Sequence, residues 1–141
     1  MRSADAVLLD THAWVWFRFG ESAAFRDSTV EAIEAAAARS ALHVSVISVW
    51  EVAMLAAKRR LQFDLPVADW VQGALGAPGL ILAELTPEIA VQACSLPGEF
   101  HDDPADRIIV ATARSTGATL YTKDRSILAY ARRGHLKAAA L

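Results

Sequence analysis

Residues 101–130, HDDPADRIIVATARSTGATLYTKDRSILAY, decide the fold. Asp103-Pro104 is a helix start: the Asp side chain caps free N–H groups, and Pro occupies the first helical position, where its missing N–H costs nothing. Ile108, Ile109 and Ala113 share one apolar face at helical spacing. Gly117 predicts the stop. Ala118 to Tyr121 reads as a short apolar strand, Thr122-Lys123-Asp124 leaves its carboxyl end, and a second helix follows. In open α/β sheets, ligands bind where strand ends face helix starts.

The same alternation extends toward the N-terminus. Ala6 to Leu9 (AVLL) is a continuous apolar run, the pattern of a strand buried on both faces of a parallel sheet. It ends at Asp10, and an aromatic-rich helix with Trp14, Trp16 and Phe17 runs on to Gly20. Asp27-Ser28 starts a helix through Ala38 with Val30, Ile33 and Ala37 facing inward. Leu42 to Val46 is a second strand, and Ser48 opens a helix through Lys58. Pro66 opens another, ended between Gly73 and Gly79. Leu80 to Leu85 is a third strand, and Thr86-Pro87 starts a helix to Leu96. The tail from Arg132 to Leu141 holds at most one weakly signalled edge strand. Short apolar strands alternating with helices predict an α/β/α sandwich, a central parallel sheet of four to five strands flanked by helices.

Bulk composition sets the bounds. With 141 residues there is room for one domain with a sizeable core. Hydrophobic residues at 54% and charged residues at 21% exclude a disordered chain. No apolar run is long enough to span a bilayer, so no membrane partner is expected. No charged-then-apolar leader precedes Asp5, and the lone Cys94 has no internal disulfide partner; both fit a cytoplasmic protein. Cys94 lies in an apolar helical stretch and reads as a small packed hydrophobe. A net charge of −2 argues mildly against nucleic-acid binding, unless clustered carboxylates distort that index.

Four acids sit at strand-to-helix junctions: Asp10, Glu51, Asp106 and Asp124. Each has an ordinary explanation. Ser48-x-x-Glu51 matches a capping box, Asp106 occupies the third helical position after the Asp103 cap, and Asp10 and Asp124 can be plain caps. Together the caps explain less. If the strands are parallel, all four junctions lie on one sheet edge and four carboxylates converge. One pair at ~5 Å and an effective dielectric of ~20 repels by roughly 3 kcal/mol. A fold tolerates several such pairs if the acids protonate or a cation sits among them. Hard oxygen ligands without a Cys or His partner point to Mg²⁺ or Mn²⁺. His12, His43, His101 and His135 show no zinc spacing and are expected not to ligate metal, with His12 and His101 near the site.

The segments LLDTHAWVW, VISVWEVAML, HDDPADRIIVATA and TLYTKDRSILAY resemble the PIN domain, specifically the VapC-type ribonuclease toxins of bacterial toxin–antitoxin pairs. The resemblance runs from about Ala6 to Tyr130 and implies a single PIN-like domain over residues 1–141. It implies that Asp10, Glu51, Asp106 and Asp124 bind Mg²⁺ or Mn²⁺ and hydrolyse RNA phosphodiester bonds. Thr11 and Thr122 match hydroxyl residues that accompany the first and last Asp in the family, and Asp103 matches its block as well as the cap. Asp102 departs from the pattern, since similar sequences often carry a basic residue there. The resemblance further implies a homodimer and a cognate antitoxin. RNA needs cations around an acidic centre; the candidates are Arg107, Lys123 and Arg125, with Lys58, Arg59 and Arg60 further out. Trp14 and Trp16 read as core or interface residues.

Three other readings compete. A haloacid-dehalogenase phosphatase needs a second Asp two residues after Asp10, where His12 stands. A receiver-like phosphoacceptor needs an Asp after the third strand, and Leu82-Ala83-Glu84 offers none. A PIN-fold interaction module without catalysis is set against the presence of all four acids.

Overall fold

A computed structural model describes residues 6–141; the expectation about a leader before Asp5 falls outside the described residues. Five parallel strands form one sheet: β1 (Val7–Leu9), β2 (Leu42–Ser45), β3 (Leu80–Ala83), β4 (Thr119–Tyr121) and β5 (Ala138–Ala139). Their spatial order is β3-β2-β1-β4-β5. Val7 pairs with Leu42 on one side and with Thr119 on the other. The strand order reverses between β1 and β4, which makes the gap beyond their carboxyl ends the topological switch point of the sheet. The weakly signalled tail does supply the edge strand β5, paired with β4 through Leu120↔Ala138.

The two-residue period of the strands divides the core. Ala6 and Leu8 point into one layer with Ile89, Ile109, Val110, Ile127 and Tyr130. That layer is covered by α5 (Pro87–Cys94), α6 (Pro104–Thr116) and α7 (Arg125–Arg132). Val7 and Leu9 point the other way, against Trp14, Ile33, Val52 and Trp70. There the cover is α1 (Thr11–Phe19), α2 (Asp27–Ala38), α3 (Val46–Ala57) and α4 (Val67–Leu75). The expected α/β/α sandwich is therefore present. No helix among the described residues is long and apolar enough to cross a membrane.

Three expectations are corrected. First, α3 begins at Val46 and its cap is Ser45, whose hydroxyl accepts from the Ile47 N–H. The spacing Ser48-x-x-Glu51 thus falls inside the helix and is no capping box; Glu51 sits in the second turn. Second, the buried positions of α2 are Thr29, Ile33 and Ala36; Ala37 packs against the core as expected, and Val30 is replaced by Thr29. Thr29 turns inward because its hydroxyl donates to the Leu141 carbonyl at 3.1 Å. Third, Cys94 is exposed. Ile89 and Ala93 are the buried positions of α5, and position 94 lies about 100° further round the helix.

One glycine is indispensable to this packing. Gly79 enters β3 at φ +81, and a Cβ there would lie 1.8 Å from the Ala37 carbonyl oxygen of α2.

Candidate metal centre

Each predicted acid is carried to the switch point by its own element. Asp10 follows β1 and caps α1, accepting from the Ala13 N–H at 2.8 Å. Glu51 projects from α3. Asp103 caps α6 and accepts from the Asp106 N–H at 3.2 Å, which places Asp106 at the third helical position, as read from Asp103-Pro104. Asp124 follows β4 and caps α7, accepting from the N–H groups of Ser126 and Ile127. Asp10, Glu51, Asp103, Asp106 and Asp124 all line one cleft of about 410 Å³, with Thr11, His12, Trp16, Ile109 and Lys123. The ordinary capping roles and the convergence are both real for Asp10, Asp103 and Asp124.

Two threonines hold the deeper acids. The Thr122 hydroxyl donates to Asp10 Oδ2, with both groups buried. The Thr11 hydroxyl donates to Glu51 Oε1 at 2.5 Å. Thr11 Oγ1 also lies 2.8 Å from the fully buried Ser48 hydroxyl. A hydroxyl has one proton to give. Thr11 gives its own to Glu51, so Ser48 donates to Thr11, and the three form a directed chain. Sequence reasoning selected Thr11 and Thr122 and mistook the part played by Ser48.

The acids differ in electrostatics. Burial pushes the Asp10 carboxyl above the usual carboxylate range, and the Thr122 hydroxyl and Ala13 N–H pull it only part of the way back. Burial likewise raises Glu51 against the Thr11 hydroxyl, with Asp103 and Asp10 adding repulsion. Asp106 is pushed up to about 7, first by burial and then by Asp103, Asp124, Glu51 and Asp10. Asp124 moves the other way. Burial favours its neutral form but is outweighed by the Ser126 hydroxyl and the N–H groups of Ile127 and Ser126, so its carboxyl lies below the usual range. Carboxylates that rise together lack a counter-charge, and a divalent cation supplies one. Four hard carboxylates fit Mg²⁺ or Mn²⁺ chemically.

His101 belongs to this cluster more closely than the sequence indicated. One ligand atom from each of His101, Asp106 and Asp124 lies within 4.8 Å of the others, a spacing that can hold an ion. The hydrogen bonds argue for a donor role instead. The Asp103 N–H donates to His101 Nδ1 at 3.3 Å, so the ring proton sits on Nε2. Nε2 faces Asp106 Oδ2 at 3.3 Å and Ser126 Oγ at 3.0 Å, and Ser126 passes its own proton to Asp124 Oδ1. In this tautomer His101 donates toward the acids and has no lone pair for a metal. His12 lines the cleft and packs against the Trp16 ring. His43 is in β2, and His135 stacks on Tyr130 away from the acids.

The candidate RNA-binding cations separate. Lys123 lines the cleft, its Nζ 5.1 Å from the centre of the Trp16 ring. Arg125 is exposed at the start of α7. Arg107 is engaged elsewhere: its guanidinium donates to the carbonyls of Ala93, Phe100 and His101 at 2.7, 3.0 and 3.1 Å. With Tyr130, which donates to the Pro97 carbonyl, and Arg133, which donates to that of Glu99, it braces the loop that delivers His101 and Asp103. Trp14 is core, packed on Trp70, whereas Trp16 is half-buried at the cleft.

The family model described as PIN domain matches residues 7–133. Ribonuclease VapC22 of Mycobacterium tuberculosis is 40% identical over 121 residues, which cover 86% of this chain and 88% of that protein. Among solved structures, VapBC2 from Rickettsia felis bound to a promoter DNA fragment has a chain with a TM-score of 0.69 at 17% identity, covering 96% of this chain and 98% of that one. DNA-bound VapBC from Salmonella typhimurium gives 0.69 at 16% identity, covering 96% and 97%. These two similarities concern the fold alone.

Proposed function

The chain belongs to the PIN domain family, and from that premise we propose that it is a divalent-metal-dependent endoribonuclease, the toxin of a toxin–antitoxin pair, with residues 1–141 forming one such domain. The observation that carries the reading is the convergence of Asp10, Glu51, Asp106 and Asp124 in one cleft at the switch point, with Asp106 pushed up to about 7. A bound Mg²⁺ or Mn²⁺ would neutralise these acids and supply an acidified water for phosphodiester hydrolysis. Asp10, Glu51, Asp106 and Asp124 would hold the ion. Thr122 fixes the Asp10 carboxylate, and Thr11, itself held by Ser48, fixes Glu51. Asp103 sets the entry of α6 and with it the position of Asp106. Lys123 meets substrate phosphate at the rim, with Arg125 further out. Arg107 serves the loop rather than the RNA.

The cleft adjoins an apolar shelf of Ile47, Trp50, Met54, Pro104 and Ala105 that shares Glu51 and Asp103 with it. Trp50 is 56% exposed there, and among the described residues no ring packs on it, so it extends the shelf into a contiguous apolar patch. This supports a protein contact beside the acids, which we assign to the cognate antitoxin or to the second subunit of a homodimer. A cytoplasmic location follows from the toxin reading. The test is RNA cleavage by purified protein freed of its partner, with Mg²⁺ or Mn²⁺ and with EDTA. Metal-dependent cleavage that disappears in Asp106→Ala supports the proposal; cleavage indifferent to both refutes it. Expression alone should arrest bacterial growth, and the adjacent gene should relieve the arrest.

A further inference from the structure

The acidic cleft contains a cation that does not pair with it. Lys123 lines the same cavity as five carboxylates, yet among the described residues its ammonium forms an ion pair with none of them. It lies instead over the face of Trp16, 5.1 Å from the ring centre. Trp16 is half-buried and backed by the His12 ring at 5.4 Å, so its position is fixed by α1. Lys123 is exposed, on the segment between β4 and α7, and its flexible stem has free choice of direction. A lysine beside clustered acids is expected to lean into them. It rests instead on the aromatic face, an attraction that favours the docked position about two- to fivefold at an exposed site.

We propose that Trp16 is a positioning residue for substrate: it holds the Lys123 ammonium at the rim of the cleft, out of the seat of the metal, where it receives a backbone phosphate of single-stranded RNA beside the scissile bond. The inference rests on the ribonuclease reading and deepens it. A lysine sunk among the acids would neutralise them and lose its own charge for substrate. One held on the ring leaves the acids to the metal and stays unpaired for phosphate, as a polyanion entering an acidic cleft requires. Trp16 contributes through Lys123 and not by stacking on a base.

The test is binding of a fluorescein-labelled single-stranded RNA in EDTA, where no metal-dependent cleavage occurs, titrated across salt concentrations. Four variants are compared with wild type: Lys123→Gln, Trp16→Leu, Trp16→Phe and the double variant Trp16→Leu/Lys123→Gln. Lys123→Gln should weaken binding about three- to fivefold and lower the slope of log Kd against log salt by about 0.7, the value of one phosphate contact on a single strand. Trp16→Leu should weaken binding about threefold, and Trp16→Phe, which keeps an aromatic face, should restore most of it. The double variant should bind no more weakly than Lys123→Gln alone. With Mg²⁺ or Mn²⁺ present, the losses should appear in KM while kcat stays at the wild-type value. Wild-type affinity in Trp16→Leu, an unchanged salt slope in Lys123→Gln, or a double variant showing the sum of both losses would overturn the proposal; the last would mean that the ring touches RNA itself. Wild-type protein that neither binds nor cuts RNA would overturn the ribonuclease reading as well, so the two failures are distinguishable.

Discussion

The two walls of the cleft are built differently. On the inner wall, Asp10 and Glu51 each receive a threonine hydroxyl, and behind Thr11 stands the buried Ser48. On the outer wall, Asp124 is satisfied by its own helix start and by Ser126, whereas Asp106 faces the exposed His101 and four further carboxylates. Burial raises both inner acids, but a fixed donor opposes it at each. No hydroxyl opposes it at Asp106. The inner wall is therefore a frame already set in the folded chain, and Asp106 is the acid whose charge depends most on what binds.

The largest effect that can break this contrast is loss of catalysis. Asp106→Ala and Asp10→Ala should each reduce metal-dependent RNA cleavage by at least ~100-fold in folded protein, since loss of a partner behind a ligand already costs ~10–100-fold. Full activity in Asp106→Ala, checked for contaminating ribonuclease, would remove the outer wall from the chemistry.

Next come the donors. Thr122→Val leaves a buried Asp10 without its hydroxyl partner. It should lower activity by ~10–100-fold and stability by ~1–3 kcal/mol. Ser126→Ala, at the half-buried Asp124, should do much less, because two backbone N–H groups remain. Equal losses in the two variants would erase the difference between the walls. Ser48→Ala should cost ~1 kcal/mol of stability and also lower activity through Thr11 and Glu51; a stability loss with unchanged turnover would break the hydroxyl chain.

Metal linkage sharpens the contrast in the melting temperature. If Mg²⁺ binds with a dissociation constant of ~1 mM, ~10 mM metal adds about 1.4 kcal/mol, on the order of 3–6 °C for a domain of this size. Asp106→Asn should melt higher than wild type in EDTA and shift less when Mg²⁺ is added. The opposite ranking in EDTA, with an equal metal shift, would mean that the acids act only as caps.

The contrast also predicts a dependence on pH. Asp106 has a folded-state pKa of about 7 against 3.8 for the free side chain. Between those values the folded chain binds more protons than the unfolded one, so stability in EDTA should fall as pH rises from about 4 to about 7. Asp106→Asn should flatten that slope, as should saturating Mg²⁺. A wild-type slope unchanged by either would sever Asp106 from the cluster.

Much of this architecture could be read from residues alone, and the exceptions have physical causes. Asp103-Pro104 and Gly117 mark the ends of α6 because their backbone chemistry is local. Asp10 and Asp124 were legible for the same reason, each standing at the end of a short apolar strand. The start of α3 was not. Ser45 and Ser48 are equally good caps by type, and Glu51 three residues after Ser48 mimics a capping box. Only the pairing of Ser45 with Ala83 in the sheet separates them. Arg107 was misjudged because nothing local reveals that carbonyls from residues 93–101 will close around its guanidinium. His101 was underrated because its proton is placed by the Asp103 N–H and its direction by Ser126, 25 residues away.

The central position of β1 has a consequence for the order of events in the life of the chain. Its partners are residues 42–44 and 119–121, and the bond from Thr122 to Asp10 spans 112 positions. Such distant pairings form late, since the entropy of loop closure is lost before any contact compensates it. During synthesis, a chain that has not yet emerged past residue 119 has neither β4 beside β1 nor a hydroxyl to orient Asp10, and Asp124 is absent. A nascent copy would therefore lack an assembled acidic site until residues 119–124 have emerged.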